Sequence, residues 1–184
     1  MKFHNCKIAI TGDLGSGKST VAQILSGKLG FEIVSTGRIQ RQMAERMGLS
    51  TLELNQLAEK DPSIDEQIDS IFKSLNEDPN NYIIDSRLAW HFVPSSFKVY
   101  LTVDPRTAAR RILSDPGRKS EGYHSDAEAL ALLQARKNSE NERFKAIYGV
   151  DCADLNNYDL VIDTTDKSPQ QVAEIIIQEL LKRC

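Results

Sequence analysis

The stretch Gly12-Asp13-Leu14-Gly15-Ser16-Gly17-Lys18-Ser19, with Thr20 behind it, constrains this chain more than any other. It reads G-x-x-x-x-G-K-S, and each position in that pattern has a physical job. Glycines take backbone angles that other residues resist, and they leave no side chain between backbone and ligand. Successive N–H groups can then converge on an anion, and the helix that follows adds the positive end of its dipole. A lysine in the place of Lys18 reaches the β- and γ-phosphates of a nucleotide, and a hydroxyl in the place of Ser19 ligates Mg²⁺. The competing reading is an ordinary glycine-rich turn. The flanks decide between them. Cys6 to Thr11 is short, apolar and β-branched, so it reads as a buried strand. After the loop, Val21, Ile24 and Leu25 share one helical face with the stem of Lys28, and Gly30 stands where a helix C-cap glycine belongs. Strand, glycine loop, helix is the setting that phosphate binding requires. Gly12, Asp13, Leu14, Gly15, Ser16, Gly17, Lys18, Ser19 and Thr20 are therefore the expected ATP-phosphate site.

The rest of the chain repeats the alternation of strand and helix. Phe31–Ser35 is a second short strand, and Thr36-Gly37 opens a helix that runs to Met47 and stops at Gly48. Ser50 with Glu53, and Ser63 with Glu66, have the spacing of capping boxes for two further helices, the second reaching Leu75. A turn cluster, 76–81, precedes a third strand, Tyr82–Asp85, which ends on a carboxylate. Phe97–Val103 is a fourth strand. Asp104-Pro105 starts a short arginine-rich helix, which Asp115-Pro116-Gly117 breaks. Ser125 and Glu128 cap a long helix to about Tyr148. Asp159–Asp163 is the fifth strand, and Ser168, Pro169 and Gln171 cap a last helix. Short, continuously apolar strands between helices predict an α/β fold with a parallel sheet covered on both faces. Ligands on such sheets sit beyond the carboxyl ends of the strands. No internal repeat or linker divides the chain, so residues 1–184 are expected to form one domain.

Composition excludes several classes. The net charge is −3, from 23 basic and 26 acidic residues, so no global attraction to nucleic acid or an anionic membrane is expected. The three cysteines, Cys6, Cys152 and Cys184, are odd in number, far apart and without metal-ligand spacing, which suggests a reducing compartment. No signal-peptide pattern and no run long enough to span a bilayer is read, and a cytoplasmic monomer is the expectation.

Transfer of a phosphoryl group needs positioning, Mg²⁺ and positive charge more than covalent help. A phosphate-bearing acceptor needs a second anion site. Arg41, one turn into the helix opened by Thr36, and Arg87, just after the third strand, are the candidates. Asp85 ends a strand expected beside the first; it can serve Mg²⁺, Lys18 or a ribose hydroxyl, or be only a turn residue. Arg106, Arg110, Arg111, Arg118 and Lys119, followed by Arg136 and Arg143 on the long helix, make either a hinged, water-excluding cover or a solvated basic hairpin. The acidic group Asp61, Asp65, Glu66 and Asp69 reads as a solvated helix face, His4, His91 and His124 as structural or surface residues, and Trp90 as packing.

These segments together resemble the cytidylate kinase family of nucleoside monophosphate kinases, in the compact form typical of archaea. Gly12 to Thr20 matches the ATP loop, and Ser35 to Arg41 resembles the segment opening the monophosphate region. Leu52 to Asp69 resembles its short helical pair, and Asp85-Ser86-Arg87-Leu88-Ala89 its Asp-Gly-Arg segment. Arg111 falls on a lid arginine. Arg136, Ser139 and Arg143, with Tyr148 to Asp151 and Tyr158 to Ile162, resemble the carboxyl-terminal signature. The resemblance implies a three-layer P-loop kinase fold with a five-stranded parallel sheet. It also implies a monophosphate-binding insert over about 36–76 and an arginine-rich lid over about 105–147. The implied reaction is transfer of the ATP γ-phosphate to CMP or dCMP. Lys18, Arg111, Arg136 and Arg143 would be catalytic, Thr36, Arg41, Asp85 and Arg87 would hold the acceptor, and Ser19 and Asp85 would hold Mg²⁺. The alternatives are a P-loop kinase for another nucleotide or small metabolite, and an inactive nucleotide-binding regulatory module. The chain departs from the family pattern at Asp13, Arg38, Ser86 and Ala108.

Overall fold

The computed structural model describes residues 3–49, 51–58, 60–114 and 125–183. Five strands form one sheet: β1 (Lys7–Gly12), β2 (Glu32–Ser35), β3 (Tyr82–Asp85), β4 (Phe97–Thr102) and β5 (Leu160–Asp163). The order is β2-β3-β1-β4-β5 and every pairing is parallel. All five expected strands are present, with ends that differ by one residue at most. Ile10 pairs with Asp85, which sets β3 directly beside β1, as expected, with its end two residues short of Gly12.

Alternation along β1 explains the layering. Ile8 and Ile10 face α1 (Lys18–Leu29) and α8 (Pro169–Leu181), packing with Leu25, Val99, Leu101, Val172 and Ile176. Ala9 faces the other side, with Ile84 and Tyr100, under α2 (Thr36–Met47), α4 (Pro62–Ser74) and the short α5 (Ala89–Phe92). Between α2 and α4 lies α3 (Thr51–Ala58), which contributes Leu54 to that core. Each such aliphatic side chain, wholly buried, stabilises the fold by about 2 kcal/mol. The sheet is therefore covered on both faces, and the fold is α/β in three layers.

Most helix ends are where the local chemistry puts them. Gly30, Gly48 and Gly149 end α1, α2 and the long helix α7 (Asp126–Tyr148) in the left-handed conformation. Asp104 caps α6 (Pro105–Leu113) through Thr107, Ser125 caps α7 through Glu128, and Ser168 with Gln171 forms a complete capping box on α8. The Ser63–Glu66 capping box is corrected. Asp61 is the cap of α4, accepting from the Ser63 N–H at 3.0 Å, because Pro62 at the first helical position shifts the start two residues earlier. Helix α5 and a 3-10 turn at Leu155–Asn157 are additions to the predicted order. Ser50, the 115–117 break, Arg118, Lys119 and His124 lie outside the described residues.

Helix α6 packs on α7 through Val103, Ala108, Ala109, Ile112, Ala129 and Leu133. Near its other end α7 leans Phe144 and Tyr148 on the core beneath α4 and α5. It is thus fixed by apolar contacts at both ends, while its middle carries charge. Among the described residues no helix is long and apolar enough to cross a membrane.

His91 stands half-buried among the rings of Trp90, Phe92 and Tyr148. Burial lowers its pKa below 6.5, outweighing the pull of Asp69, and Lys73 adds to the lowering. A folded-state pKa below the unfolded one gives stability that is present above the unfolded value and is lost as pH falls through the folded one. Urea unfolding should therefore show the chain losing stability from about pH 7 towards pH 5.5, and His91→Gln flattening that slope. Equal slopes in the two proteins would remove His91 as the cause.

Candidate active site

The loop after β1 keeps its shape through its glycines. Gly12, Gly15 and Gly17 have φ of 149°, 78° and 87°. The Asp13 N–H donates to the Leu101 carbonyl at 2.9 Å, and the Ser16 hydroxyl to the Asp13 carbonyl at 2.8 Å. Gly17 is the N-cap of α1, and among the described residues no side chain caps that end. The first N–H groups of α1 therefore face the loop's concavity, an arrangement suited to an anion. Lys18 Nζ lies over the loop, donating to the carbonyls of Gly12 at 3.0 Å and Asp13 at 2.9 Å. Leu14 packs against the core shared by α6 and α7, while Ser19 and Thr20 are exposed at the start of α1.

Asp85 comes to this loop from β3. The Ser19 hydroxyl donates to Asp85 Oδ2 at 2.8 Å. A hydroxyl and a carboxylate beside the glycine loop are hard oxygen donors of the kind Mg²⁺ takes, so this donor set fits the ion. Among the described residues no group of three or more His, Cys, Asp or Glu side chains is gathered. An ion here would complete its shell with water and nucleotide phosphates.

Ser86, one of the departures, is buried and ties three elements together. Thr36 Oγ1 donates to its hydroxyl at 2.8 Å, and Thr11 Oγ1 donates to its carbonyl at 3.1 Å. Thr36 is thus bound to the segment that carries Arg87. Ala108, another departure, is 4 % exposed beneath Gly15, and a β-carbon on that glycine would lie 2.9 Å from its backbone. A long cationic side chain has no room there, so Ala108 is a packing position of α6.

The arginines are spread over the site. Arg111 braces the loop, donating to the carbonyls of Thr164 at 2.7 Å, Thr165 at 3.1 Å and Gly15 at 3.4 Å. Arg87 forms an ion pair with Glu140 of α7, and its side chain is 20 % exposed. Arg143 is ion-paired with Asp65 of α4. Arg41 is exposed on α2. Arg136 lies on α7, and its side chain is outside the described part of the structure.

The acidic face of α4 is corrected in the same way. Asp69 is buried and accepts from the Tyr148 hydroxyl at 2.9 Å, so with Asp65 it holds α7 rather than only meeting solvent. Burial pushes the pKa of Asp69 up and, with the bond to Asp69, that of Tyr148 as well. Three site residues were not singled out by sequence: Lys137, Glu140 and Tyr100; Tyr148 was read within the carboxyl-terminal signature, but without its partner Asp69. The signal for the first two is a charged stripe on α7. Lys137, Glu140 and Arg143 recur at i, i+3 and i+6, and each meets a different neighbour: Asp13, Arg87 and Asp65.

Residues 7–166 match the model of the cytidylate kinase-like family. A cytidylate kinase of Sulfolobus acidocaldarius is 41% identical over 173 residues, which cover 93% of this chain and 92% of that one. A cytidylate kinase of Thermoplasma volcanium is 36% identical over 95% of this chain and 90% of that one. An S-adenosylmethionine-dependent nucleotide dehydratase of Lacinutrix mariniflava is 36% identical over 96% of this chain, but over only 36% of its own length. Among solved structures, an uncharacterised protein from Eubacterium ventriosum superposes with a TM-score of 0.72 at 18% identity, covering 95% of this chain and 97% of that one. A shikimate kinase from Bacteroides thetaiotaomicron superposes with a TM-score of 0.65 at 17% identity, covering 98% and 99%. At that identity the structures speak for the fold alone, a P-loop kinase fold. The sequence relatives go further: this chain belongs to the cytidylate kinase-like family and is an ATP-dependent phosphotransferase.

Proposed function

We propose that the protein transfers the γ-phosphate of Mg-ATP to CMP or dCMP. Family membership supports a nucleoside monophosphate kinase. The observation that carries the reading is the 2.8 Å bond between Ser19 and Asp85. It joins the donor's phosphate loop to the segment Asp85-Ser86-Arg87, so donor and acceptor phosphates would meet at one point.

ATP phosphates lie along Gly12 to Thr20, with Lys18 leaving the loop carbonyls for the β- and γ-oxygens. Ser19 and Asp85 would hold Mg²⁺, which would supply positive charge against the developing phosphate charge. Arg87 and Arg41 grip the acceptor phosphate, with Thr36 positioned by Ser86. Arg111, Arg136 and Arg143 supply charge around the moving group, and the cover over about 105–147 excludes water. Arg87 and Arg143 are ion-paired with Glu140 and Asp65 in this structure. Substrate phosphate would exchange for those carboxylates.

A kinase for another nucleotide is the second reading, and it rests on Arg38 and Ser86 in the acceptor segments. The dehydratase relative, by its name, also acts on nucleotides. Product formation from Mg-ATP with a panel of ribo- and deoxyribo-monophosphates, and shikimate as a non-nucleotide control, tests both. CMP or dCMP should exceed the others clearly. A different preferred monophosphate would replace the cytidine assignment, and no turned-over monophosphate would end the nucleotide reading. In the same assay Arg87→Ala should raise the acceptor KM by about tenfold or more, because a charge-assisted phosphate contact is lost. An unchanged acceptor KM would take Arg87 out of the acceptor site.

A further inference from the structure

Asp13 places a carboxylate inside a loop built to hold phosphates, where an unopposed negative charge would repel the ligand. Its surroundings answer that charge. Lys137 Nζ, on α7, donates to Asp13 Oδ1 at 2.6 Å, and the Tyr100 hydroxyl, on β4, donates to the same oxygen at 3.0 Å. The Asp13 side chain is only 16 % exposed and that of Lys137 35 %, so water screens the pair less than it would at the surface. Burial and the neighbouring Asp13 carboxylate raise the pKa of Tyr100, which keeps its hydroxyl a neutral donor. Lys137, Asp13, Tyr100 and Gly12 line one small cleft with Arg87 and Asn141.

We infer that Lys137 is a positioning residue for the phosphate donor. It cancels the Asp13 charge and fixes the Gly12–Asp13 turn, whose two carbonyls accept from Lys18. The contact is formed only when the middle of α7 lies against the loop. The cover helix and the phosphate loop are thereby coupled through one ion pair, and the loop takes its phosphate-ready charge balance when α7 is in place. This role rests on the reading of the loop as the ATP site and adds a residue to it.

The test is a double-mutant cycle on the full chain, read by binding of a non-hydrolysable Mg-ATP analogue and by KM for ATP. Lys137→Met should weaken analogue binding by about tenfold and raise the ATP KM with a smaller effect on kcat, since it leaves a largely buried carboxylate with the Tyr100 hydroxyl but no counter-cation. The same substitution made in an Asp13→Asn background should cost much less, because the repelling charge is gone. Lys137→Arg, which keeps the charge, should bind the analogue within about threefold of the parent. A Lys137→Met loss that is equally large in both backgrounds would overturn the inference and make Lys137 a direct phosphate ligand. So would no loss in either. Urea unfolding without nucleotide, run on the four proteins of the cycle, must show coupling between the two positions; its absence would overturn the pair itself. A parent protein that fails to bind the analogue would instead sink the ATP-site reading, a result distinct from either of these.

Discussion

Lys18→Ala is expected to leave the chain folded and to lower kcat for phosphoryl transfer by about a hundredfold or more. The reason is geometric. Lys18 Nζ hangs over the loop on the carbonyls of Gly12 and Asp13, 3.0 and 2.9 Å away, at the mouth of the cradle formed by the start of α1. In the proposed reaction it would leave those carbonyls for the β- and γ-oxygens of ATP, where charge builds as the phosphoryl group moves. Its contribution is therefore larger in the transition state than in the ground state, and a loss of kcat should exceed any rise in the ATP KM. The side chain is only half-buried at a helix N-terminus, so its removal should change the unfolding midpoint little. Steady-state kinetics with the preferred monophosphate, beside a thermal melt, checks both parts. Turnover within a few-fold of the parent would remove Lys18 from the chemistry.

Gly12→Ala should act through the fold. Gly12 ends β1, pairs with Leu101 of β4 and has φ of 149°, which L side chains rarely adopt. A β-carbon there would lie 2.3 Å from the Leu101 carbonyl oxygen and 2.7 Å from its nitrogen. Neither atom can yield, because both are backbone in a central strand. The two central strands must separate or the loop must change path. The expected cost is about 3–5 kcal/mol, a fall in Tm of about 6–20 °C for a chain of this size. Gly17 makes the contrast. A β-carbon on Gly17 meets nothing within 4 Å, so only its φ of 87° opposes Gly17→Ala, and that cost is about 1–2 kcal/mol. A melt of Gly12→Ala within about 2 °C of the parent would refute the close-approach account. Loss of the Asp13 N–H bond to Leu101 should also spoil nucleotide binding in any Gly12→Ala that folds.

The contrast between these residues shows what is local and what is not. The glycine loop, the caps at Asp104, Ser125 and Ser168, the stops at Gly30 and Gly48, and the five apolar strands were legible because each depends on residues a few positions apart. The parallel sheet followed from the alternation of strand and helix. The Ser63–Glu66 box was misplaced because the Asp61-Pro62 start two residues earlier competes for the same helix and wins. Arg87 and Asp85 were legible as candidates from their place at the end of β3, yet their partners were not. Asp13 meets Lys137, Arg87 meets Glu140, Asp65 meets Arg143 and Asp69 meets Tyr148, pairs 53 to 124 residues apart in sequence. Ala108 belongs here too: its place beneath Gly15 turns a position expected to carry a lid arginine into packing.

The fold class, the glycine loop between β1 and α1, and the end of the sheet at which the candidate residues gather could thus be read from the chain, because helix and strand periodicity and turn chemistry are short-range. Which charges face one another across that site depends on packing between elements far apart in the chain. The rotational phase of α7 between its two apolar anchorages selects which of its side chains reach the loop, β3 and α4, and no spacing within α7 says what stands opposite.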